Sequence, residues 1–249
     1  MALARTKKTN ATWETIRTIV YAIVIAFVVR TVAFEPFTIP SGSMKPTLLV
    51  GDYLFVSKYS YGYSRYSLPL GLPPFHGRLF RQEPKRGDVI VFKKPTGAHE
   101  DYIKRLIGLP GDRVQVMHGE LYINGQQVPR HQTDDYIERE ADGSTTRTSE
   151  YIEDLPGGVE HPILRRPGTD DNGANNTQEF VVPPDHFFMM GDNRDDSLDS
   201  RFDDVGFVPS ENLIGRAEFL FFSADDAALW EIWRWPWHLR WRRLFSGIH

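Results

Sequence analysis

The stretch from Thr15 to Phe34 constrains this chain more than any other feature, because the run Ile19 to Val29 within it carries no charge, glycine or proline. Twenty residues of helix reach roughly 30 Å, the thickness of a bilayer core, and long side chains such as Arg17 and Arg30 near its ends can extend to the headgroups. The uncharged run alone is short enough to suit a cleavable signal peptide or a buried helix. No small-x-small pair follows it, however, since the chain continues Arg30-Thr-Val-Ala-Phe-Glu-Pro-Phe37. The expectation is a retained anchor at 14–34 behind a basic cytoplasmic tail at 1–13, which holds Arg5, Lys7 and Lys8 and faces inward by the positive-inside rule. Everything after the anchor then lies on the periplasmic or outer face. A mean hydropathy of -0.39 leaves room for one span and excludes several.

Beyond Pro36 the periodicity shortens to β-branched and aromatic runs punctuated by turn residues, at 53–57, 89–92, 102–107 and 113–117. Asn124-Gly125 between Glu120-Leu-Tyr-Ile and Gln126-Gln-Val is a strong two-residue hairpin signal. From 130 to 178 the chain is rich in Asp, Thr, Gly, Pro and Asn, and apolar runs return at Phe180-Val-Val and Phe187-Phe-Met-Met. The pattern predicts a mainly β protein: an antiparallel β core at 35–129 and 179–249, a polar β/loop insertion at 130–178, and one transmembrane helix ahead of both. Five of the six tryptophans fall between Trp230 and Trp241 among arginines. This tail suits either the membrane–water boundary or closure of a sheet edge.

Composition removes most chemistries. With 29 basic and 33 acidic residues there is no overall pull toward nucleic acid. The absence of cysteine excludes disulfides and thiolate nucleophiles. The eight histidines form no H-x-x-x-H or H-E-x-x-H pair, so no zinc site is expected. The acidic run Asp192 to Asp199 fails as a calcium loop, because either register puts Arg194 at a ligand position or Ser200 where glycine is needed. No phosphate-binding glycine motif occurs.

What remains is Ile39-Pro-Ser-Gly-Ser-Met-Lys-Pro46 directly after the anchor. Alone it reads as a turn. As a site, Ser43 is the nucleophile, while its own N–H and the Ser41 hydroxyl face the oxyanion. A lysine kept neutral by burial serves as base near neutral pH. In Asp101-Tyr-Ile-Lys-Arg-Leu-Ile107, strand alternation sets Lys104 between Tyr102 and Leu106 on one face. Lys104 is then either a desolvated base or an edge lysine in solvent. Lys45, close to Ser43 in sequence, is the rival base and is expected at the surface.

Four blocks together resemble the bacterial type I signal peptidases, membrane-anchored proteases with a Ser-Lys dyad: Pro40-Ser-Gly-Ser-Met44 with Pro46-Thr-Leu; Lys85-Arg-Gly-Asp-Val-Ile-Val-Phe92; Asp101-Tyr-Ile-Lys-Arg105 with Gly108-Leu-Pro-Gly-Asp112; and Gly191-Asp-Asn-Arg-Asp195 with Ser197, Asp199, Ser200 and Arg201. The ending Ser246-Gly-Ile-His249 is also similar. The resemblance implies Ser43 as nucleophile, Lys104 as general base and Ser41 as oxyanion donor. It implies that the Ser197 hydroxyl orients the lysine nitrogen and that Asp199 and Arg201 hold that segment, where the bland alternative is a surface ion pair. It implies cleavage of exported preproteins after Ala-x-Ala type sequences, in shallow pockets lined by Phe37, Ile39, Met44, Leu48, Tyr102 and Ile103, any of which could equally be plain core. The partners are signal peptides of exported preproteins and the lipid bilayer, with no nucleic acid and no cofactor; the oligomeric state is left open. The chain departs from the best-known members in offering one span instead of two and in lacking a cysteine pair in the insertion. Two rivals remain: a self-cleaving Ser-Lys regulator, which would carry a DNA-binding domain where this chain has its apolar run, and a non-catalytic membrane-tethered binding module of the same fold.

Overall fold

The computed structural model describes residues 11–68, 71, 75–97, 100–139, 144–170, 172–225 and 230–248. Most of the basic tail expected at 1–13 lies outside the described residues, as do His99 and His249.

Among the described residues one helix, α1 (Ala11–Val32), is long and apolar enough to cross a membrane and has no part of its apolar window buried against the rest of the chain. It stops before Phe34, which the sequence reading had placed inside the span. The amide of Ala33 closes the last helical bond on Val29 O, and Glu35, which precedes Pro36, is pushed to extended backbone. Phe34 therefore opens the first strand.

In chain order the strands are β1 (Phe34–Thr38), β2 (Asp52–Ser57), β3 (Val89–Lys93), β4 (Asp101–Gly108), β5 (Arg113–Met117), β6 (Glu120–Ile123), β7 (Gln126–Gln127), β8 (Arg130–Gln132), β9 (Tyr136–Arg139), β10 (Thr145–Leu155), β11 (Val159–Arg165), β12 (Phe180–Val181), β13 (His186–Met190), β14 (Val208–Pro209) and β15 (Leu213–Ser223). The main sheet has the order β1-β2-β15-β3-β4-β13-β14 and is antiparallel throughout. Pro36 is tolerated because β1 is an edge strand. The alternation in β2 is strict over Leu54 and Val56, which are fully buried, while Tyr53 and Phe55 stack against Phe221 on the opposite face.

A second sheet, β12-β5-β6-β7, holds the expected hairpin. Asn124 (φ 55°) and Gly125 (φ 77°) both take positive φ, as a two-residue type I′ turn requires. The 130–178 stretch carries the third sheet, β11-β10-β8 with β9 paired to β10. It also contributes to the interior: Leu155 packs with Ile107, Val114 and Phe188, and Ile163 and Leu164 are buried. The C-terminal segment closes against the sheet, the second of the two roles expected for it. Leu239 and Gly247 bridge to Ala224 and Phe219 of the sheet, and Trp235 stacks on Phe222, while Trp230, Trp233, Trp237 and Trp241 remain largely exposed.

Candidate active site

The sheet curls so that β1 and β4 face each other across a groove of about 640 Å³, with Ser43 and Lys104 in its wall. Ser43 sits in the turn after β1, and its backbone carbonyl accepts the Asn193 amide at 3.1 Å while Asn193 Nδ2 donates to Gly42 O at 3.0 Å. The loop after β13 thereby grips the serine turn. Gly191 is required in that loop: a Cβ there would lie 2.2 Å from Ser197 Oγ and 2.5 Å from Ser43 O.

Lys104 lies on β4, an interior strand between β3 and β13, and is 4% exposed. Its Nζ donates to Ser43 Oγ at 2.5 Å and stands 5.5 Å from the Tyr102 ring centroid. Burial is the main cause of a lysine pKa lowered to about 8; nearby Asp199 and Asp192 oppose the shift and Arg201 adds to it. Ser41 Oγ is 3.5 Å from Ser43 Oγ, on the same side of the groove.

Asp199 and Arg201 form a fully buried pair, not the surface pair that sequence alone allowed. Asp199 accepts from Arg201 Nε at 2.8 Å, from Arg201 Nη2 at 2.9 Å and from the Gly191 amide at 3.0 Å. Burial pushes the Asp199 carboxyl up, but Arg201 and these hydrogen bonds outweigh it and hold it below its ordinary value. The Ser197 hydroxyl is buried beside Gly191, makes no hydrogen bond to Lys104, and helps to hold the Asp199 carboxyl down.

Of the expected pocket residues, Phe37, Ile39, Tyr102 and Ile103 line the groove. Met44 and Leu48 do not. Both are fully buried with Leu54, Val56 and Ile214 under the serine turn, where covering an apolar side chain of that size contributes about 2 kcal/mol. Their contribution is to hold the turn down. Lys45 also departs from its expected surface position, because its ammonium is taken up by an ion pair with Glu138 on β9 and only 17% of its side chain is exposed.

A buried polar network beneath the site was not anticipated. Arg105, next to Lys104 and pointing away from the groove, donates to both Asp192 carboxylate oxygens at 2.8 Å and to Gly87 O at 2.8 Å. Thr47 Oγ1 donates to Asp192 at 2.6 Å, which ties the serine turn to the same carboxylate. His161 on β11 stands 3.3 Å from both Asp192 and Glu153, and Glu153 on β10 takes both terminal nitrogens of Arg194. Leu164 on β11 donates its amide to Asp192 O at 2.9 Å and accepts the Arg194 amide at 3.0 Å. Asp192 and Arg105 lie inside the quoted sequence blocks, but nothing local marks them as partners 87 positions apart.

The family model for "Signal peptidase, peptidase S26" matches residues 12–222. Signal peptidase I of Rickettsia typhi is 44% identical over 226 residues, covering 87% of this chain and 83% of its own length, and that of Rickettsia massiliae is 45% identical over 212 residues, covering 82% and 77%. A solved signal peptidase I from Enterococcus faecalis is 28% identical and covers 54% of this chain and 97% of its own, with a TM-score of 0.32. With its family model spanning both the serine turn and the buried lysine, and with relatives this similar over most of their length, the chain belongs to the signal peptidase family of S26 peptidases.

Proposed function

We propose that this peptidase is a single-span membrane enzyme that frees exported preproteins by cutting their signal peptides after small residues, with Ser43 as nucleophile and Lys104 as general base. One observation carries the reading: a 2.5 Å contact between a buried lysine amine of lowered pKa and the Ser43 hydroxyl, in the wall of the groove. The neutral amine takes the Ser43 proton as Oγ attacks the scissile carbonyl. The Ser41 hydroxyl and the Ser43 N–H face the developing oxyanion, the ammonium returns its proton to the leaving amine, and an ester on Ser43 remains. Water then hydrolyses it with Lys104 again as base.

The geometry also supports the substrate class. β1 and β4 offer backbone on both sides of the groove, so an extended peptide can add to them by main-chain hydrogen bonds while Phe37, Ile39 and Ile103 admit small side chains. Anchoring by α1, with an inward N-terminus, sets the domain beside membrane-held precursors and raises their effective concentration. The 130–178 stretch acts in this reading as support for the site, through His161 and Glu153.

Ser43→Ala is the direct test. Cleavage of a purified precursor in detergent should vanish, whereas Lys45→Ala, which removes the rival base, should cleave with most of the normal rate. Retained cleavage by Ser43→Ala would sink the assignment. The lowered lysine pKa sets the pH profile: below about 8 the amine is mostly protonated, so kcat/KM should rise about tenfold per pH unit from 6 and level off above 8. A profile flat from pH 5 to 9 would remove Lys104 as the base.

A further inference from the structure

A second pocket, of about 560 Å³, opens where α1 meets the domain, and it adjoins the groove, because Phe37 and Asp101 line both. The helix end is tied down at this point. Tyr63 Oη donates to Val32 O at 2.5 Å, and the Lys58 amide donates to Ala33 O at 2.9 Å. Phe27, Arg30 and Thr31 of α1 line the pocket on the helix side, and the domain contributes Lys58, Arg65 and Lys93.

These four cations share the lining with two carboxylates, Glu35 and Asp101. Asp101 is taken by Lys93 at 2.8 Å, and Glu35 is divided between Lys58 at 2.9 Å and Arg30 at 3.3 Å. Arg65 has its partner carboxylate, Glu211, at 3.8 Å and outside the lining. The pocket therefore keeps a cationic excess and draws in an anion. Two polar atoms of lining residues, Arg65 Nε and Thr31 Oγ1, are also buried without a hydrogen-bond partner among the described residues. A ligand that brings acceptor oxygens can satisfy both.

Position along the helix selects the kind of anion. Phe27 is 61% exposed and stands three residues before Arg30, about 4.5 Å of helix rise toward the apolar run. The lining thus passes from apolar to cationic in the direction in which a bilayer passes from acyl chain to headgroup. A free phosphate ion would use the cationic end alone. We propose that this pocket binds an anionic glycerophospholipid of the outer leaflet, with its phosphodiester between Arg30 and Arg65 and its first acyl carbons against Phe27. The proposal rests on the reading of α1 as a membrane anchor followed by an outward-facing domain, and it makes no use of the dyad. Since pocket and groove share Phe37 and Asp101, a bound lipid holds the groove at the bilayer surface, where membrane-held precursors emerge.

Lipid selectivity of the full-length protein is the measurement. Native mass spectrometry after equilibration in micelles with equal amounts of dioleoyl phosphatidylglycerol and dioleoyl phosphatidylcholine reads which lipid stays bound. The parent should keep phosphatidylglycerol over phosphatidylcholine by about twentyfold, Arg30→Gln and Arg65→Gln should each lower that ratio about fivefold, and the double variant should bring it close to one. Arg242→Gln removes an exposed cation outside the pocket and should leave the ratio within about twofold of the parent's. Cleavage of a soluble precursor peptide at a rate within about twofold of normal shows that a variant is folded. Should Arg65→Gln fail that check, Arg30→Gln, on an exposed part of the helix, still decides the matter. An equal fall in Arg242→Gln would mean diffuse attraction to anionic surfaces, and displacement of the lipid by equimolar inorganic phosphate would mean a phosphate site with no need of a lipid; either result overturns the proposal. Flotation with vesicles separates the remaining failures. A parent that floats but shows no lipid preference overturns the pocket alone, whereas one that does not float overturns the anchor reading and the pocket with it.

Discussion

Lys104→Met should reduce precursor cleavage by about 10²- to 10⁴-fold and at the same time make the folded domain more stable. The two effects share one cause. A lysine whose folded pKa is about 8 against 10.5 in the open chain has its charged form disfavoured by burial, and carrying that buried charge costs the fold about 3 kcal/mol at any pH below 8. Methionine has nearly the same length without the charge. It loses the hydrogen bond to Ser43, worth about 1 kcal/mol, so the net gain at pH 7 is about 2 kcal/mol. The sign follows from proton counting. Between pH 8 and 10.5 the unfolded chain binds more protons at this site than the folded one, so the penalty shrinks as pH rises through that window and is gone above 10.5. Denaturant unfolding of both proteins at pH 7 and pH 10.5 checks this. A variant less stable than the parent at pH 7, or a difference independent of pH, would contradict a strained, desolvated amine.

Asp192→Ala should be among the most damaging substitutions in the chain, with an expected loss of about 4 kcal/mol for the full-length protein in detergent. It removes the carboxylate that neutralises the guanidinium of Arg105, which is 0% exposed, and it cuts the serine turn loose from β4. Burial pushes the Asp192 carboxyl up, yet Arg105 and His161 outweigh that and hold it far below the usual carboxylate range. The contribution of the pair is therefore present above the unfolded carboxylate pKa of about 3.9 and is lost only as pH falls through the much lower folded value. Replacing both partners by apolar residues, as in Arg105→Met with Asp192→Leu, should recover most of the stability, because no buried charge is then left alone. A loss below about 1 kcal/mol in the single variant would mean that water reaches Arg105 and the network is not dry.

Period-2 alternation carried the strand assignments well, because the β-core runs at 53–57, 89–92, 102–107 and 113–117 each put apolar side chains on a face that has to be covered, and the observed strands begin and end within a residue of them. Alternation also set Lys104 on the face of Tyr102 and Leu106. It could not say whether that face was wet. That depended on β13 pairing with the far side of β4, a contact between segments 80 to 85 residues apart. The end of α1 was misplaced by two residues because phenylalanine is as apolar in a strand as in a span, and only the pairing of Phe34 with Ser57 separates the two. Met44 and Leu48 stay open between pocket and core in the sequence for a similar reason: an apolar residue beside a nucleophile looks the same whether it faces substrate or core, and here both face core.

The amino-acid order by itself determined the apolar helix, the strand periods, the Asn-Gly turn and the kinds of chemistry open to a chain without cysteine, since each depends on neighbours a few positions away. Only the tertiary structure decided which lysine meets Ser43, that Lys45 is taken by Glu138, that Arg105 and Asp192 close beneath the site, and that Ser197 is buried beside Gly191. Those are matters of burial and of distance between remote segments, and both the desolvation of an amine and the pairing of a buried charge exist only once the sheets have closed around them.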